Sequence, residues 1–469
     1  MIPFTEVAVL DRNAEYRGVP TEELMEKAGK ALADEIDRIC PVAPILFICG
    51  TGNNAGDAFV AARYLSETRG PENITVYLIR GTESIGTELS KKNLDLVNCK
   101  VTDELTIEEG QILVDGLLGT GIKGIIREPY RTVIKEINAS SNKVISIDVP
   151  SGLGADICVE PEATVTFHDI KEGMNEHNSG EMIIKDIGIP KEAEEYTGPG
   201  ELLLYPRAKE GSHKGDNGRV LVIGGGPYSG APALVAMAAY RTGVDLVHLA
   251  VPSSVSQIVA GFSPSFIVHP LEGTELKKEH VEQIIELSKN SHAVVIGPGL
   301  GDSKSIVDAV RHVLEKLETP VVVDADALKA ITDGLPNMKR DNMVITPHLK
   351  EFEMIAGPFK DKFAKADDYA KDNQITVLLK GHTDYVTDGK RYKFNDFGSP
   401  AMSVGGTGDT LAGVVAALLG KGLSPFDSAR LGVYITTRAG ESAFEKYAWG
   451  LMPEDISECI PVVLKELIK

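Results

Sequence analysis

Short runs of β-branched and aliphatic residues recur every few dozen positions: Ile45 to Cys49, Ile74 to Ile79, Ile112 to Asp115, Val144 to Val149 and Ala163 to Phe167. Between them lie stretches of helical character, Asp57 to Thr68 among them. A strand that reads as one continuous apolar run has to be covered on both faces, and a crossover helix between successive parallel strands supplies that cover. From about Pro190 the chain turns loop-like (PKEAEEYTGPGELLLYPRAKEGSHKG), with Pro, Gly and mixed charge, as a domain junction does. A second series then begins: Val220 to Ile223, Leu246 to Ala250, Ala293 to Ile296, Val321 to Asp324, Met343 to Thr346 and Thr376 to Leu379. The expected fold class is α/β with two doubly wound domains, residues 1–205 and 206–469, the boundary falling near Tyr205. The Gly-rich turns of the two halves differ in spacing and in flanking polar residues, so two unlike sites are expected rather than a duplication.

Composition removes several classes of function. The 48 Lys and Arg against 68 Asp and Glu give a formal charge of −20, which opposes a polyanionic partner, so nucleic acid is not expected. Cys40, Cys49, Cys99, Cys158 and Cys459 are far apart and form no CxxC pair, which suggests neither a disulfide framework nor a zinc site and fits a reducing cytoplasm. Residues 1–13 lack a basic segment ahead of an apolar run, so no signal peptide is expected. The apolar runs Ala231 to Ala239 and Leu411 to Leu419 fall far short of the ~20 residues that span a bilayer.

In the first half, Cys49-Gly50-Thr51-Gly52-Asn53-Asn54-Ala55-Gly56-Asp57 follows a strand and opens a helix, where backbone N–H groups converge on an anionic or polar ligand. A plain tight turn is the alternative, but it has no need of Asn53, Asn54 and Asp57 together. Asp115, and Asp148 with Ser151, sit at the carboxyl ends of further parallel strands, the ends at which open α/β sheets bind ligands. Taken alone, Asp148 also reads as a helix N-cap. The turn Gly119-Thr120-Gly121-Ile122-Lys123-Gly124 offers N–H donors and a cation of the kind a phosphate needs.

In the second half the strongest signal is Gly405-Gly406-Thr407-Gly408-Asp409-Thr410-Leu411-Ala412-Gly413, running into an apolar helix. Glycines and a helix amino end form an anion hole with Asp409 beside it, which suits phosphoryl transfer: N–H dipoles take the developing charge and the carboxylate takes a proton from the attacking hydroxyl. The bland alternative makes Asp409 a charge that stabilises the helix terminus. Lys380, in LKGHTD, ends a strand and reaches a nucleotide phosphate on the functional reading, or is a solvated turn lysine on the other. The turns GPGLG (297–301), DAD (324–326) and TPHLKEF (346–352) also lie just past strands. His348 alone is more often structural, and only the company of the other turns raises it.

The order of LMEKAG, GTGNNAGD, VDGLLGTGIKG and DVPSG over nearly all of residues 1–205 resembles the NAD(P)H-hydrate epimerase family. The resemblance implies that Asn53, Asn54, Ala55, Gly56, Asp57, Gly119, Thr120, Gly121, Ile122, Lys123, Gly124, Ile125 and Asp148 hold a hydrated nicotinamide dinucleotide. It implies that Asn54, Asp115 and Ser151 hold K⁺, with Asp115 doubling as the catalytic acid/base; oxygen donors of this kind suit a large hard cation. The family usually has Gly-Gly-Asp-Gly where this chain has Ala55-Gly56-Asp57-Ala58, and each extra methyl could tighten the pocket or remove a positive-φ option. Inactivation would first be expected in this half.

Residues 206 to 465 resemble the ribokinase-like superfamily, and within it the nucleotide-dependent NAD(P)H-hydrate dehydratases, through SHKG (212–215), GGG (224–226) with GAPA (230–233), GPGLG, DADAL, TPHLKEF, LKGHTD and GGTGDTLAG in order. That resemblance implies substrate contacts from Ala231, Gly299, His348 and Asp409, and an adenine-nucleotide cradle of Lys380, Gly381, His382, Thr383, Asp384 and Gly408. It implies ADP or ATP as co-substrate with Mg²⁺, ADP being favoured by likeness to prokaryotic fused enzymes. The expected reaction is epimerisation of the R and S hydrates, then dehydration of the S form with Asp409 as base. The alternative is a ribokinase-like small-molecule (vitamin-type) kinase carrying a non-catalytic binding domain. A homo-oligomer would be ordinary for an α/β enzyme of this size.

Overall fold

The computed structural model describes residues 1–332, 334 and 341–468. Contacts divide the chain into two units, Met1–Glu194 and Glu195–Lys469.

In the first unit seven strands, β1 (Ile45–Cys49), β2 (Ile74–Leu78), β3 (Lys100–Thr102), β4 (Ile112–Gly116), β5 (Lys143–Ile147), β6 (Ala163–Phe167) and β7 (Glu181–Lys185), form one parallel sheet in the order β3-β2-β1-β4-β5-β6-β7. Side chains of β1 alternate between two cores: Ile45, Phe47 and Cys49 pack beneath the helices Thr21–Ile39 and Asn53–Arg69, while Leu46 and Ile48 meet Val133, Ile134 and Ile137 of the helix Tyr130–Ala139 on the other face. The chain leaves β1 toward β2 and later returns to β4 on its other side. This reversal opens a crevice at the carboxyl ends of β1 and β4.

In the second unit β8 (Arg219–Ile223), β9 (Leu246–Pro252), β10 (Ile267–Leu271), β11 (Ala293–Ile296), β12 (Val321–Val323), β13 (Met343–Ile345), β14 (Thr376–Leu379), β15 (Asp384–Thr387) and β16 (Tyr392–Asn395) form a nine-stranded sheet in the order β10-β9-β8-β11-β12-β13-β14-β15-β16. It is parallel up to β14, after which β15 and β16 run antiparallel. The helix Thr407–Gly420 is buried from Thr410 to its end and lies against the helix Gly230–Arg241, an approach close enough that a Cβ at Gly413 would meet the Val235 carbonyl at 2.3 Å.

The division at Glu194 falls earlier than the expected boundary because the linker-like segment is held by the second unit. Thr197 N–H donates to the Phe394 carbonyl at 2.8 Å, its hydroxyl reaches Asn395 at 2.8 Å, and Leu202 is buried beside Leu431 and Tyr434. Among the described residues no helix is long and apolar enough to cross a membrane.

Candidate active sites

The crevice of the first unit holds a cavity of about 490 Å³. Its wall takes Thr51, Gly52, Asn53, Asn54 and Asp57 from the turn and helix after β1, Leu117 to Thr120 from the turn after β4, and Asp148 from the turn after β5. The turns after β1 and β4 touch: a Cβ at Gly50 would fall 1.8 Å from the Leu117 carbonyl, so only glycine fits. Asn54 ties three strand ends together, its Nδ2 donating to the carbonyls of Leu118 (3.3 Å) and Ile147 (3.0 Å).

Asp148 has φ +61°, a conformation that a non-glycine residue adopts only when its surroundings impose it. Its N–H donates to the Val165 carbonyl at 2.8 Å, and its carboxylate accepts from Phe167 N–H at 3.1 Å and from the Lys171 ammonium. Lys171 is 1% exposed and also donates to Thr166 Oγ1 (3.0 Å) and to the Phe167 carbonyl (2.6 Å). A lysine this buried is retained only with such partners. Sequence reasoning missed it; the one available signal was a lysine four residues past the end of β6.

Asp115 is 0% exposed and does not line the cavity. It accepts from Ser146 Oγ (2.8 Å), Ser151 N–H (2.8 Å), Ser151 Oγ (2.5 Å) and Leu117 N–H (3.3 Å), and burial raises its pKa against those bonds. Ser151 Oγ also lies 3.1 Å from the Leu118 carbonyl that Asn54 contacts, so Asn54, Asp115 and Ser151 do converge. Of the other expected contacts, Gly119 and Thr120 line the cavity, whereas Ala55, Gly56 and Gly121 to Ile125 do not. Ala55 and Ala58 are buried in the helix Asn53–Arg69 with their methyl groups in the core, and neither has a positive φ, so the departure from Gly-Gly-Asp-Gly leaves the pocket wall untouched.

Asp57, half-buried in this wall, has a pKa pushed well above the usual carboxylate range by burial and then by the charges of Asp148 and Asp11, with Lys171 opposing. Asp11 lines the same cavity from the helix Phe4–Tyr16, and burial with the Asp148 charge raises it to about 6.

In the second unit Asp409 stands in the first turn of the helix Thr407–Gly420. Burial raises its pKa to about 7, helped by Asp324 and Asp326 and opposed by Lys380. Lys380 is no solvated turn lysine: its ammonium donates to Asp324 Oδ1 at 2.9 Å, and a Cβ at Gly408 would lie 3.3 Å from it. Burial would lower its pKa, but Asp324 outweighs that and raises it. Asp324 is 2% exposed and also accepts from Thr346 Oγ1 at 2.7 Å, so the turns after β12, β13 and β14 share one hydrogen-bonded cluster.

Lys380 N–H donates to the Pro347 carbonyl at 2.8 Å, which sets His348 beside it. His348 caps the helix Leu349–Ala356: its Nδ1 accepts from Glu351 N–H at 3.2 Å, its own N–H donates to Glu351 Oε2 at 2.8 Å, and its ring is exposed. Gly299 has φ +70°, and a Cβ there would meet the Tyr228 carbonyl at 2.5 Å and the Ala231 Cβ at 3.2 Å, which brings the two expected contacts Gly299 and Ala231 together. Within LKGHTD, Gly381 and His382 are exposed. Asp384 instead faces inward, accepting from Gly381 N–H (3.0 Å) and Asn395 Nδ2 (3.2 Å), with burial raising it to about 6. Its part is to shape the turn that carries the exposed groups.

A doubly wound sheet with an acidic crevice, and a nine-stranded sheet with a carboxylate and a lysine at a helix amino end, define a two-site α/β enzyme whose second half is ribokinase-like. Residues 220–462 match the NAD(P)H-hydrate dehydratase family, and residues 21–173 match the family described as YjeF-related protein N-terminus. The bifunctional NAD(P)H-hydrate repair enzyme Nnr of Methanothermobacter thermautotrophicus is 40% identical over 98% of this chain and 94% of its own length. That of Hyperthermus butylicus is 37% identical over 100% and 93%. The chain belongs to the family of bifunctional NAD(P)H-hydrate repair enzymes. Among solved structures, the ADP/ATP-dependent NAD(P)H-hydrate dehydratase of Bacillus subtilis co-crystallised with ATP/Mg²⁺ is 25% identical with a TM-score of 0.50, covering 58% of this chain and 98% of that one. A ribokinase-like superfamily protein of Enterococcus faecalis V583, 23% identical with a TM-score of 0.52 over 58% and 95%, shares the fold. Likeness along nearly the whole chain to fused repair enzymes favours that reading over a kinase with a non-catalytic domain.

Proposed function

We propose that this chain restores hydrated NAD(P)H in two steps, with the first unit interconverting the R and S hydrates and the second dehydrating the S form at the expense of ADP or ATP. The hydrate carries a hydroxyl at carbon 6 of the reduced nicotinamide ring, and hydroxide leaves poorly. Asp409 takes the proton of that hydroxyl as it attacks the terminal phosphate, while N–H groups from Gly406 to Asp409 and the Lys380 ammonium receive the developing charge. The ring nitrogen then expels phosphate, and loss of a carbon 5 proton restores the dihydronicotinamide. Mg²⁺ arriving with the nucleotide would share the phosphate charge. Ala231, Gly299 and His348 border the substrate, while Gly381, His382, Thr383 and Gly408 cradle the nucleotide.

In the first unit the residues present fit K⁺: the Asp115 carboxylate, the Ser151 hydroxyl and the Leu118 carbonyl supply oxygens, and Asn54, with Nδ2 engaged, leaves Oδ1 facing Gly119. Potassium held there would lend positive charge to the turn after β4. Asp115, walled off from the cavity, serves as a cation ligand in this reading and not as the proton shuttle. Five free cysteines fit a reducing compartment.

The observation that carries the proposal is the half-buried Asp409 at the helix amino end, beside Lys380. The test follows the near-ultraviolet absorbance of dihydronicotinamide after S-hydrate is mixed with ADP or ATP. Asp409→Asn is expected to lower the rate ~10²-fold or more, and near-normal turnover in that variant would refute the role.

A further inference from the structure

Epimerisation at carbon 6 needs two proton movements: one onto the departing hydroxyl, one off the water that adds to the other face. The titratable side chains lining the cavity are Asp11, Asp57, Asp148, His168 and Lys171. Asp148 and Lys171 pair with each other, and Lys171 is further tied to Thr166 and Phe167. His168 lies 3.7 Å from Glu194. Asp115 is outside the wall. Two carboxyl groups remain, Asp57 from the helix after β1 and Asp11 from the helix Phe4–Tyr16. Among the described residues neither carboxyl makes a hydrogen bond or an ion pair, and the Asp11 charge is one of those that raise Asp57.

We propose that Asp11 is a catalytic residue of the epimerase half, acting as the base that partners Asp57 as acid. The inference rests on the epimerase reading above and assigns its proton carriers. Asp57 protonates the carbon 6 hydroxyl; the carbon–oxygen bond breaks as the ring nitrogen lone pair forms the N=C6 iminium, and water is released. Water then adds to the opposite face of carbon 6 and gives a proton to the Asp11 carboxylate. Transfer of that proton from Asp11 to Asp57 restores the starting state, so the net change is inversion alone. Burial raises both carboxyls, Asp57 well above the ordinary carboxylate range and Asp11 to about 6, so Asp11 is largely ionised at neutral pH and suits the base, while the other carboxyl on the same wall is left to serve as acid.

The test uses the full chain with K⁺ and purified R-hydrate, following S-hydrate by chromatography in the absence of nucleotide. Asp11→Asn is expected to lower kcat ~10²-fold or more while KM changes little. The wild-type rate is expected to fall as pH drops through about 6, where Asp11 becomes protonated. That acid limb disappears in Asp11→Asn and is displaced in Asp11→Glu, which keeps part of the activity. A rate for Asp11→Asn close to that of the wild type, or an acid limb that persists in it, overturns the proposal. Should Asp11→Asn fail to fold by thermal melting, Asp11→Glu decides alone: an unshifted limb with unchanged kcat overturns it. A wild-type chain that does not outpace buffer removes the epimerase reading itself, a result distinct from the others.

Discussion

Asp409 and Lys380 act on each other, and the sign of that coupling can be measured. A base works in its ionised form, so dehydration should rise with pH through about 7, the value to which burial and the Asp324 and Asp326 charges bring Asp409. The Lys380 ammonium lowers that value, so Lys380→Met should move the midpoint of the pH–rate profile to higher pH while also weakening nucleotide binding; an unmoved midpoint would show that the lysine does not face Asp409. In the first unit Lys171→Met removes the buried partner of Asp148, and stranding such a carboxylate costs roughly 3–5 kcal/mol, to be read as a lower urea midpoint. Residues of this kind divide sharply in how far the sequence exposes them. Asp409 stands behind a run of glycines that opens a helix and Lys380 directly follows a strand with a glycine next to it, places where small residues mark the approach of a ligand. Lys171 and Asp11 stand in no such turn, and Asp11 lies one position off the apolar stripe of its helix, so they become visible only when the chain is folded. Asp384 shows the converse, for it stands in the same turn motif as Lys380 while its own carboxylate points inward.

Interior strands were readable because burial on both faces demands uninterrupted apolar runs, and β1, β6, β11 and β14 fall where those runs lie. The edge strands β3 and β7 carry Lys or Glu that a half-covered strand tolerates, and the short antiparallel β15 and β16 interrupt their apolar residues with Asp, Lys and Asn, so no such run announces them. The same physics decides the close helix pair of the second unit. A side chain at Gly413 must force the helix Thr407–Gly420 away from Val235 and Ala238, whose nearest atoms would lie 2.3 and 2.9 Å from its Cβ. Gly413→Val should therefore lose roughly 1–3 kcal/mol in chemical denaturation. Gly420→Ala, where the nearest atom is an ordinary 3.5 Å away, should change little and controls for helix propensity. Equal losses in both would show that the helix pair is not held by this contact.

Two sites with separate machinery on one chain predict a particular time course for the whole protein. On the proposed reading the second site takes the S hydrate alone, so the R form must be inverted before it is repaired. Given a mixture of epimers and excess nucleotide, the wild-type chain should convert all hydrate to NAD(P)H in one continuous phase. Asp115→Asn, which weakens the oxygen set proposed for K⁺ without touching the second unit's residues, should convert the S fraction at the normal rate. It should then slow to the uncatalysed interconversion, leaving a plateau set by the R fraction, and replacing K⁺ by tetramethylammonium in the wild type should reproduce that break. Asp409→Asn should show the converse, equilibrated epimers with almost no NAD(P)H. The motifs made two sites legible, since the turns at Gly50 to Asp57 and Gly405 to Asp409 share a Gly-Thr-Gly and an Asp but differ in spacing and in the Asn53-Asn54 pair that only the first carries; which carboxylate is proposed to move the proton in the first of them rests on burial, which a linear sequence does not display. A single phase in Asp115→Asn, complete at the wild-type rate, would mean that Asp115 and the oxygen set built on it are not needed for turnover of the R hydrate.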